Sequence, residues 1–317
     1  MKHPTPTLSI VVPVYNEAQG LATFHEALVK VASELGVGYE IVYVNDGSND
    51  SSLAILQELA TKNPTSAKVL ALTRNFGKEV ATSAGLQVAR GAAILTVDAD
   101  GQHPIDLLPV FVEKWSQGAK VVVGKRAQRQ APPLKRFGSR AFYGVFRRFT
   151  RMRLQPDLGD FRLIDREVCD QFNTLTERNR ITRGLIDWFG YKMTTIPYQE
   201  NSRLTGTSTY NFRKLSKLAI DSMISLSTSP LYVAAYAGGA IIFFSLVAGI
   251  VMLSNFLLHD PLGLRATASA YGLVLILFLI GMLLVSQGII GLYLAHIHAE
   301  TQNRPLYVVD KQASKNL

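Results

Sequence analysis

The sequence predicts an α/β fold, a doubly wound and mostly parallel sheet, followed by a membrane-spanning helical hairpin. Three observations carry this. Short apolar runs alternate with segments of helical spacing through the first half of the chain, as in strand–helix–strand units. Polar or acidic clusters close three of those runs, at the strand ends where such sheets bind ligands. Two later runs, 231–258 and 266–295, contain no charged residue.

Taken in order, Leu8 to Tyr15 reads as a strand, and Leu21, Phe24, Leu28, Val31 and Leu35 recur at helical spacing. Tyr39 to Asn45 is a second strand, broken by the turn-forming cluster Asn45-Asp46-Gly47-Ser48-Asn49-Asp50. A helix is expected over 52–62, a strand over 68–72, and a helix over 78–90 that closes at Gly91. The fourth strand, Ala92 to Val97, delivers Asp98. A helix from Pro104 to Trp115 and a strand from Lys120 to Val123 follow. Tyr15-Asn16-Glu17, Asp46 and the pair Asp98/Asp100 thus fall at carboxyl ends of strands.

Asp98-Ala99-Asp100-Gly101-Gln102-His103-Pro104 is the stretch the rest serves. Residues two apart in extended backbone point the same way, so Asp98 and Asp100 offer two carboxylates on one side. With Gly101 easing the turn and Gln102 adding a neutral oxygen, that is a hard-oxygen pocket suited to Mg²⁺ or Mn²⁺. The plainer alternative is a helix N-cap at Asp100 or Gly101 ahead of Pro104.

The formal net charge is +9, which points to a nucleic acid, an anionic membrane or a phosphorylated substrate. Between Lys114 and Pro156 there is no Asp or Glu, and basic residues interleave with Phe137, Phe142, Tyr143, Phe146 and Phe149. Cys169 is the single cysteine, which excludes an intrachain disulfide. Asp160 and Arg162 flank Phe161, so a strand would set both on one face. Arg178, Arg180 and Arg183 form a second basic cluster. Arg203 to Tyr210 is a polar loop, read either as a phosphate-contacting lid or as a linker.

The two uncharged runs each exceed the ~20 residues a bilayer core requires. Joined by His259 to Arg265 they make a hairpin, and the basic residues on both flanks place both termini in the cytoplasm. The hairpin decides the basic stretch for a membrane rather than a nucleic acid. The expected divisions are a catalytic domain over 1–210, an amphipathic juxtamembrane helix over 211–230, spans over 231–258 and 266–295, and a cytoplasmic tail over 296–317.

Pro13-Val14-Tyr15-Asn16-Glu17, Asn45-Asp46-Gly47-Ser48-x-Asp50, Asn75-Phe76-Gly77-Lys78-Glu79 and the Asp98 to Pro104 stretch resemble family 2 glycosyltransferases of the GT-A fold. Ser139-Arg140-Ala141-Phe142-Tyr143, Gly159-Asp160-Phe161-Arg162-Leu163, Arg183-Gly184-Leu185, Arg203-x-x-Gly206-x-Ser208-x-Tyr210 and Asn303-Arg304-Pro305-Leu306-Tyr307 narrow the resemblance. They are similar to the polyprenyl-phosphate branch related to dolichol-phosphate mannose synthase, and within it to bacterial two-helix enzymes that glucosylate undecaprenyl phosphate. Leu292 and Gly101 depart from the pattern, standing for a common acidic residue and a common leucine.

The resemblance implies an inverting transfer of a hexose, glucose from UDP-glucose before GDP-mannose or a UDP-amino sugar, onto undecaprenyl phosphate for cell-envelope glycan modification. It implies that Pro13, Tyr15, Asn16, Glu17, Asp46, Lys78 and Asp98 bind the sugar nucleotide. Asp98, Asp100 and Gln102 would hold Mg²⁺ or Mn²⁺. Arg126, Lys135, Ser139, Arg140, Arg203, Ser208 and Tyr210 would contact phosphates of acceptor or donor. Asp100, Asp160 and Arg162 would be catalytic, Asp160 at the position of a candidate base. An acceptor phosphate is already ionised at neutral pH, so Asp160 is expected to position Arg162 or a sugar hydroxyl rather than take a proton. The expected partners are the sugar nucleotide, the polyprenyl phosphate, the bacterial inner membrane and further copies of the chain in a homo-oligomer such as a tetramer, with no nucleic acid. Processive polysaccharide synthases carry a Gln-x-x-Arg-Trp motif absent here, and the glycine fingerprint of hydride-transferring enzymes is missing after the first strand.

Overall fold

A computed structural model of the chain describes residues 7–127, 158–178, 180–199 and 268–317, with single positions at 240, 243, 247 and 250. The chain divides into two compact units, one of Met1–Tyr143, Met152–Thr209 and Arg304–Leu317, the other of Gly144–Arg151 and Tyr210–Asn303.

In the first unit the order is β1 (Leu8–Val14), α1 (Leu21–Glu34), β2 (Tyr39–Asn45), α2 (Ser52–Lys62), β3 (Ala67–Ala71), α3 (Lys78–Val88) and β4 (Ala93–Thr96). A 3₁₀ turn (Ile105–Leu107) leads to α4 (Leu108–Ser116), and β5 (Val121–Arg126), β6 (Leu158–Asp165), α5 (Arg166–Thr174), α6 (Thr182–Trp188) and β7 (Met193–Tyr198) follow. The strands form one sheet in the order β3-β2-β1-β4-β6-β5-β7. The pairs β1–β2, β1–β4, β2–β3 and β5–β7 are parallel, whereas β6 runs antiparallel between β4 and β5. The sheet is therefore mostly parallel, as expected, and mixed only through β6. β4 and the first four residues of β5, the neighbours of β6, are buried along their length, so their apolar runs carry no trace of strand direction.

Alternation along the strands feeds two cores. Ile10, Val12, Ile41 and Tyr43 face Phe24, Leu28, Leu56 and Phe111 from α1, α2 and α4. Val11, Val42 and Val44 face Ala81, Ala84, Val168 and Phe172 from α3 and α5. Cys169 is buried and free.

The last residues of the chain also belong to this unit. Val69 and Lys315 exchange backbone hydrogen bonds at 3.0 and 2.9 Å, the Asp310 N–H donates to Ala71 O at 2.8 Å, and the Thr73 N–H donates to Val308 O at 3.0 Å. Asn316 Nδ2 donates to the carbonyls of Ala60 and Ala67, each at 2.9 Å. The segment expected as a free tail is thus an antiparallel cover on the β3 edge, which would otherwise expose unpaired backbone groups.

The second unit contributes α7 (Ala268–Thr301), a helix of 34 residues that runs past the expected end of the second span. Judged on the described residues, no helix is long and apolar enough to cross a membrane, so the expected hairpin finds no support there. Several side chains of α7 fall outside that set, as do the juxtamembrane helix expected over 211–230 and all of the first uncharged run except Ala240, Phe243, Val247 and Ile250.

Candidate active site

The parallel strands β1, β2 and β4 end on one edge of the sheet, and the loops that follow them build the site. After β4, Gly101 adopts a φ of +74°, a left-handed turn that a side chain would strain. The Gln102 N–H donates to Asp100 Oδ1 at 3.0 Å and closes that turn. Buried His103 lies beneath it, stacked on Phe161 with ring centroids 5.0 Å apart. Its Nδ1 accepts the Asp98 N–H at 3.2 Å, so the ring carries its proton on Nε2, and burial pushes its pKa down and keeps it neutral.

Lys78 opens α3 and reaches across the edge. Its Nζ lies 2.7 Å from Asp98 Oδ1 and 2.8 Å from Asp160 Oδ2, joining the β4 turn to β6. Burial pushes the Asp160 carboxyl up, but Lys78, Arg183 and Arg162 overcome it and hold its pKa at about 2. Burial would lower the Lys78 ammonium, yet its two carboxylates raise it. Next to Lys78, Glu79 accepts the N–H of Thr182 at 2.8 Å and ties α3 to α6. Burial and the Asp160 charge push the Glu79 carboxyl up.

Asp160 and Arg162 do share a face of β6, but they do not pair. Arg162 is only 1% exposed. Its Nη1 meets Asp187 Oδ1 on α6 at 3.2 Å, and its Nη2 donates to Gly159 O at 3.2 Å. The partner that Asp160 positions is Lys78. Lys78, Glu79, Asp98, Asp160 and Arg162 line an open cleft together with Pro13, Thr82, Thr96, Val97, Thr182 and Arg183.

Beside the cleft the loops after β1 and β2 lock together. Asn16, at φ +56°, donates its N–H to Ser48 Oγ and accepts the Asn49 N–H on its side chain. The N–H groups of Glu17 and Ala18 donate to Ser52 Oγ and Asp50 Oδ2. Asp46 accepts the N–H groups of Phe76 and Gly77 at 2.7 and 2.9 Å, which fixes the loop before α3, and burial pushes its carboxyl up against those bonds. Tyr15 is exposed. Asp46 and Asn16 therefore hold the loops of the site with the same atoms that would otherwise reach a ligand.

Residues 9–174 match Glycosyl transferase family 2. The chain belongs to that family. It is 39% identical over 308 residues to an uncharacterised glycosyltransferase of Synechocystis, covering 96% of this chain and 95% of that one. It is 36% identical over 311 residues to the prophage-derived bactoprenol glucosyl transferase of Shigella flexneri, covering 98% and 99%. Among solved structures, glucosyl-3-phosphoglycerate synthase from Mycobacterium tuberculosis in complex with Mn²⁺, UDP and phosphoglyceric acid is similar at a TM-score of 0.46 and 18% identity, over 70% of this chain and 77% of that one.

In this family 2 glycosyltransferase no group of three or more His, Cys, Asp and Glu residues gathers as a metal cage among the described residues. The donor set of the β4 turn is of another kind. Asp98, Asp100 and Gln102 supply hard oxygens from one turn, and Asp98 already holds a cation, the Lys78 ammonium. Such a set fits Mg²⁺ or Mn²⁺, which complete their shell with water and phosphate oxygens.

Of the residues singled out in the sequence, Pro13, Lys78, Asp98, Asp160 and Arg162 meet in the cleft. Arg126 lies at the end of β5, where its Nε donates to Tyr198 Oη at 3.3 Å. Lys135, Ser139, Arg140, Arg203, Ser208 and Tyr210 lie outside the described residues. Glu79, Thr182 and Arg183 line the cleft without having been picked as site residues. Glu79 was within reach as the last residue of the Asn75 to Glu79 motif, and Arg183 within the second basic cluster.

Proposed function

We propose that the protein transfers a hexose, glucose from UDP-glucose in the first instance, onto undecaprenyl phosphate with inversion at the anomeric carbon. The observation that carries this is the end-to-end similarity to a bactoprenol glucosyl transferase, 36% identical over 98% of the chain.

The nucleophile is an oxygen of the acceptor phosphate, whose second pKa of about 6 leaves it ionised at neutral pH. It needs no base, and Asp160, held near 2, would be a weak one. Asp160 instead fixes the Lys78 ammonium between the two substrates. There Lys78 offsets the repulsion between a diphosphate on the Asp98 side and a phosphate on the Asp160 side. Asp98, Asp100 and Gln102 would hold Mg²⁺ or Mn²⁺, which when bound neutralises charge on the departing diphosphate. Pro13, Tyr15 and Glu17 border the space for base and ribose.

The acceptor is a lipid, and the proposal places the enzyme in the bacterial inner membrane, with the catalytic unit and both termini cytoplasmic. The uncharged runs 231–258 and 266–295 would form the hairpin. Supporting this, residues 268–295 of the second run lie within one unbroken helix, on which Ile276, Ile280, Leu283, Ile290, Leu294 and Ile297 are exposed. Exposed apolar side chains over that length suit a lipid contact.

The test is the full chain in detergent with undecaprenyl phosphate, Mg²⁺ or Mn²⁺, and a panel of UDP- and GDP-sugars, with released nucleotide and glycolipid followed together. The expected result is metal-dependent glycolipid from one donor, abolished in Asp100→Ala. Nucleotide release without glycolipid would overturn the acceptor.

A further inference from the structure

The three arginines of the second basic cluster part company in the fold. Arg178 donates to the Arg304 carbonyl in the C-terminal segment. Arg180 is buried over the Phe172 ring and donates to the carbonyls of Glu177 and Leu175. Arg183, the second residue of α6, lines the cleft instead, near enough to Asp160 and Asp187 to act on both carboxylates, and no hydrogen bond or ion pair holds its guanidinium among the described residues.

The other cations of the cleft are committed. Lys78 is shared between Asp98 and Asp160, and Arg162 is paired with Asp187. Arg162 nevertheless keeps one donor in reserve. Its Nε–H is buried without a partner among the described residues, a costly state unless a ligand relieves it. A guanidinium fork without a hydrogen bond and an unpaired buried N–H thus lie near Asp160, on β6 and α6, in the same cleft as Asp98. A guanidinium fork matches a phosphoryl group through two parallel N–H···O bonds.

We propose that Arg183, backed by Arg162 Nε–H, binds the phosphomonoester of the acceptor. This rests on the transfer reading above and names the residue that would hold its nucleophile. Arg183 orients the phosphate with its fork while Lys78, bonded to Asp98 and Asp160, offsets the charge of those carboxylates.

The experiment compares the wild type, Arg183→Ala and Arg183→Lys as full chains in detergent. It reads the KM for undecaprenyl phosphate and for the sugar nucleotide, and calorimetric binding of geranylgeranyl phosphate, inorganic phosphate and UDP. Arg183→Ala should raise the acceptor KM and weaken geranylgeranyl phosphate binding at least tenfold, with UDP binding within twofold and the melting temperature unchanged. Arg183→Lys should recover part of the loss, because it keeps the charge and loses the fork. An equal loss of UDP binding would overturn the proposal, placing Arg183 on the donor side. Inorganic phosphate binding as tightly as the isoprenyl phosphate, and lost in the same variant, would overturn the acceptor assignment in favour of a general anion site. If the wild type glycosylates no polyprenyl phosphate yet Arg183→Ala selectively loses geranylgeranyl phosphate, the transfer reading falls and the site stands. If transfer is seen and the acceptor KM does not move, the site falls and the transfer reading stands.

Discussion

Lys78 contacts two carboxylates from different elements, Asp98 after β4 and Asp160 on β6. Lys78→Met should therefore lower kcat by about a hundredfold, the scale expected when a charged group aimed at a reacting centre is removed. It should also let the Asp160 pKa climb from about 2, since burial pushes it up, as read by NMR titration of the carboxyl. In Asp160→Asn the rate should fall while the limb from the acceptor phosphate, at about pH 6, stays in place. A profile that lost its acidic limb in Asp160→Asn would make Asp160 the base after all. At this scale the sequence told half the story. The spacing of Asp160 and Arg162 put them on one face, and they are there. What local spacing does not carry is that Arg162 pairs with Asp187, 25 residues on, and Asp160 with Lys78, 82 residues back.

Elements are legible as far as β5, and beyond it α5, α6, β7 and the C-terminal cover are not. β2 and α2 start and stop where composition places them, and β1, β3 and β4 do so within a residue or two, because each is an apolar run or helical stripe closed by turn residues. The segment 304–317 holds one short apolar run, Leu306 to Val309, that says nothing of a partner; the β3 edge supplies the pairing. Truncation after Asn303 should lower the melting temperature of the first unit by several degrees and promote association through β3, read by thermal denaturation and light scattering. The loop after β2 is constrained as tightly. Gly47 has a φ of +63°, and a Cβ there would lie 2.3 Å from the Arg74 carbonyl carbon. Gly47→Ala should displace the Asp46 to Gly77 bonds and weaken UDP binding more than it weakens acceptor binding, measured by calorimetry.

Across the whole molecule, the two edges of the sheet divide the work. The carboxyl ends carry the cleft. The amino ends carry a buried polar knot in which Glu40 accepts from Ser9 Oγ at 2.5 Å and pairs with Lys68 at 2.6 Å. Burial pushes the Glu40 carboxyl up, but Lys68, Ser9 and the Arg90 N–H outweigh it and leave its pKa lowered. Its stabilisation is thus complete above the ordinary value of 4.5 and is lost as pH falls through the lower folded value. Glu40→Ala leaves Lys68 buried and unpaired, and should cost about 3–5 kcal/mol in a urea titration. Activity per folded molecule should be unchanged, because the knot lies at the far edge from the cleft. The C-terminal cover on β3 has a different kind of consequence, one of timing. Ser314 bonds to Ala71 across 243 residues of sequence. At a synthesis rate of about 5–20 residues per second, the edge of a finished β3 waits on the order of 10–50 s for its cover. Through that interval a nascent chain carries an open sheet edge while the two uncharged runs leave the ribosome. The enzyme is therefore most exposed to mispairing until residues 304–317 have been made, and slower translation of the intervening stretch would lengthen that exposure.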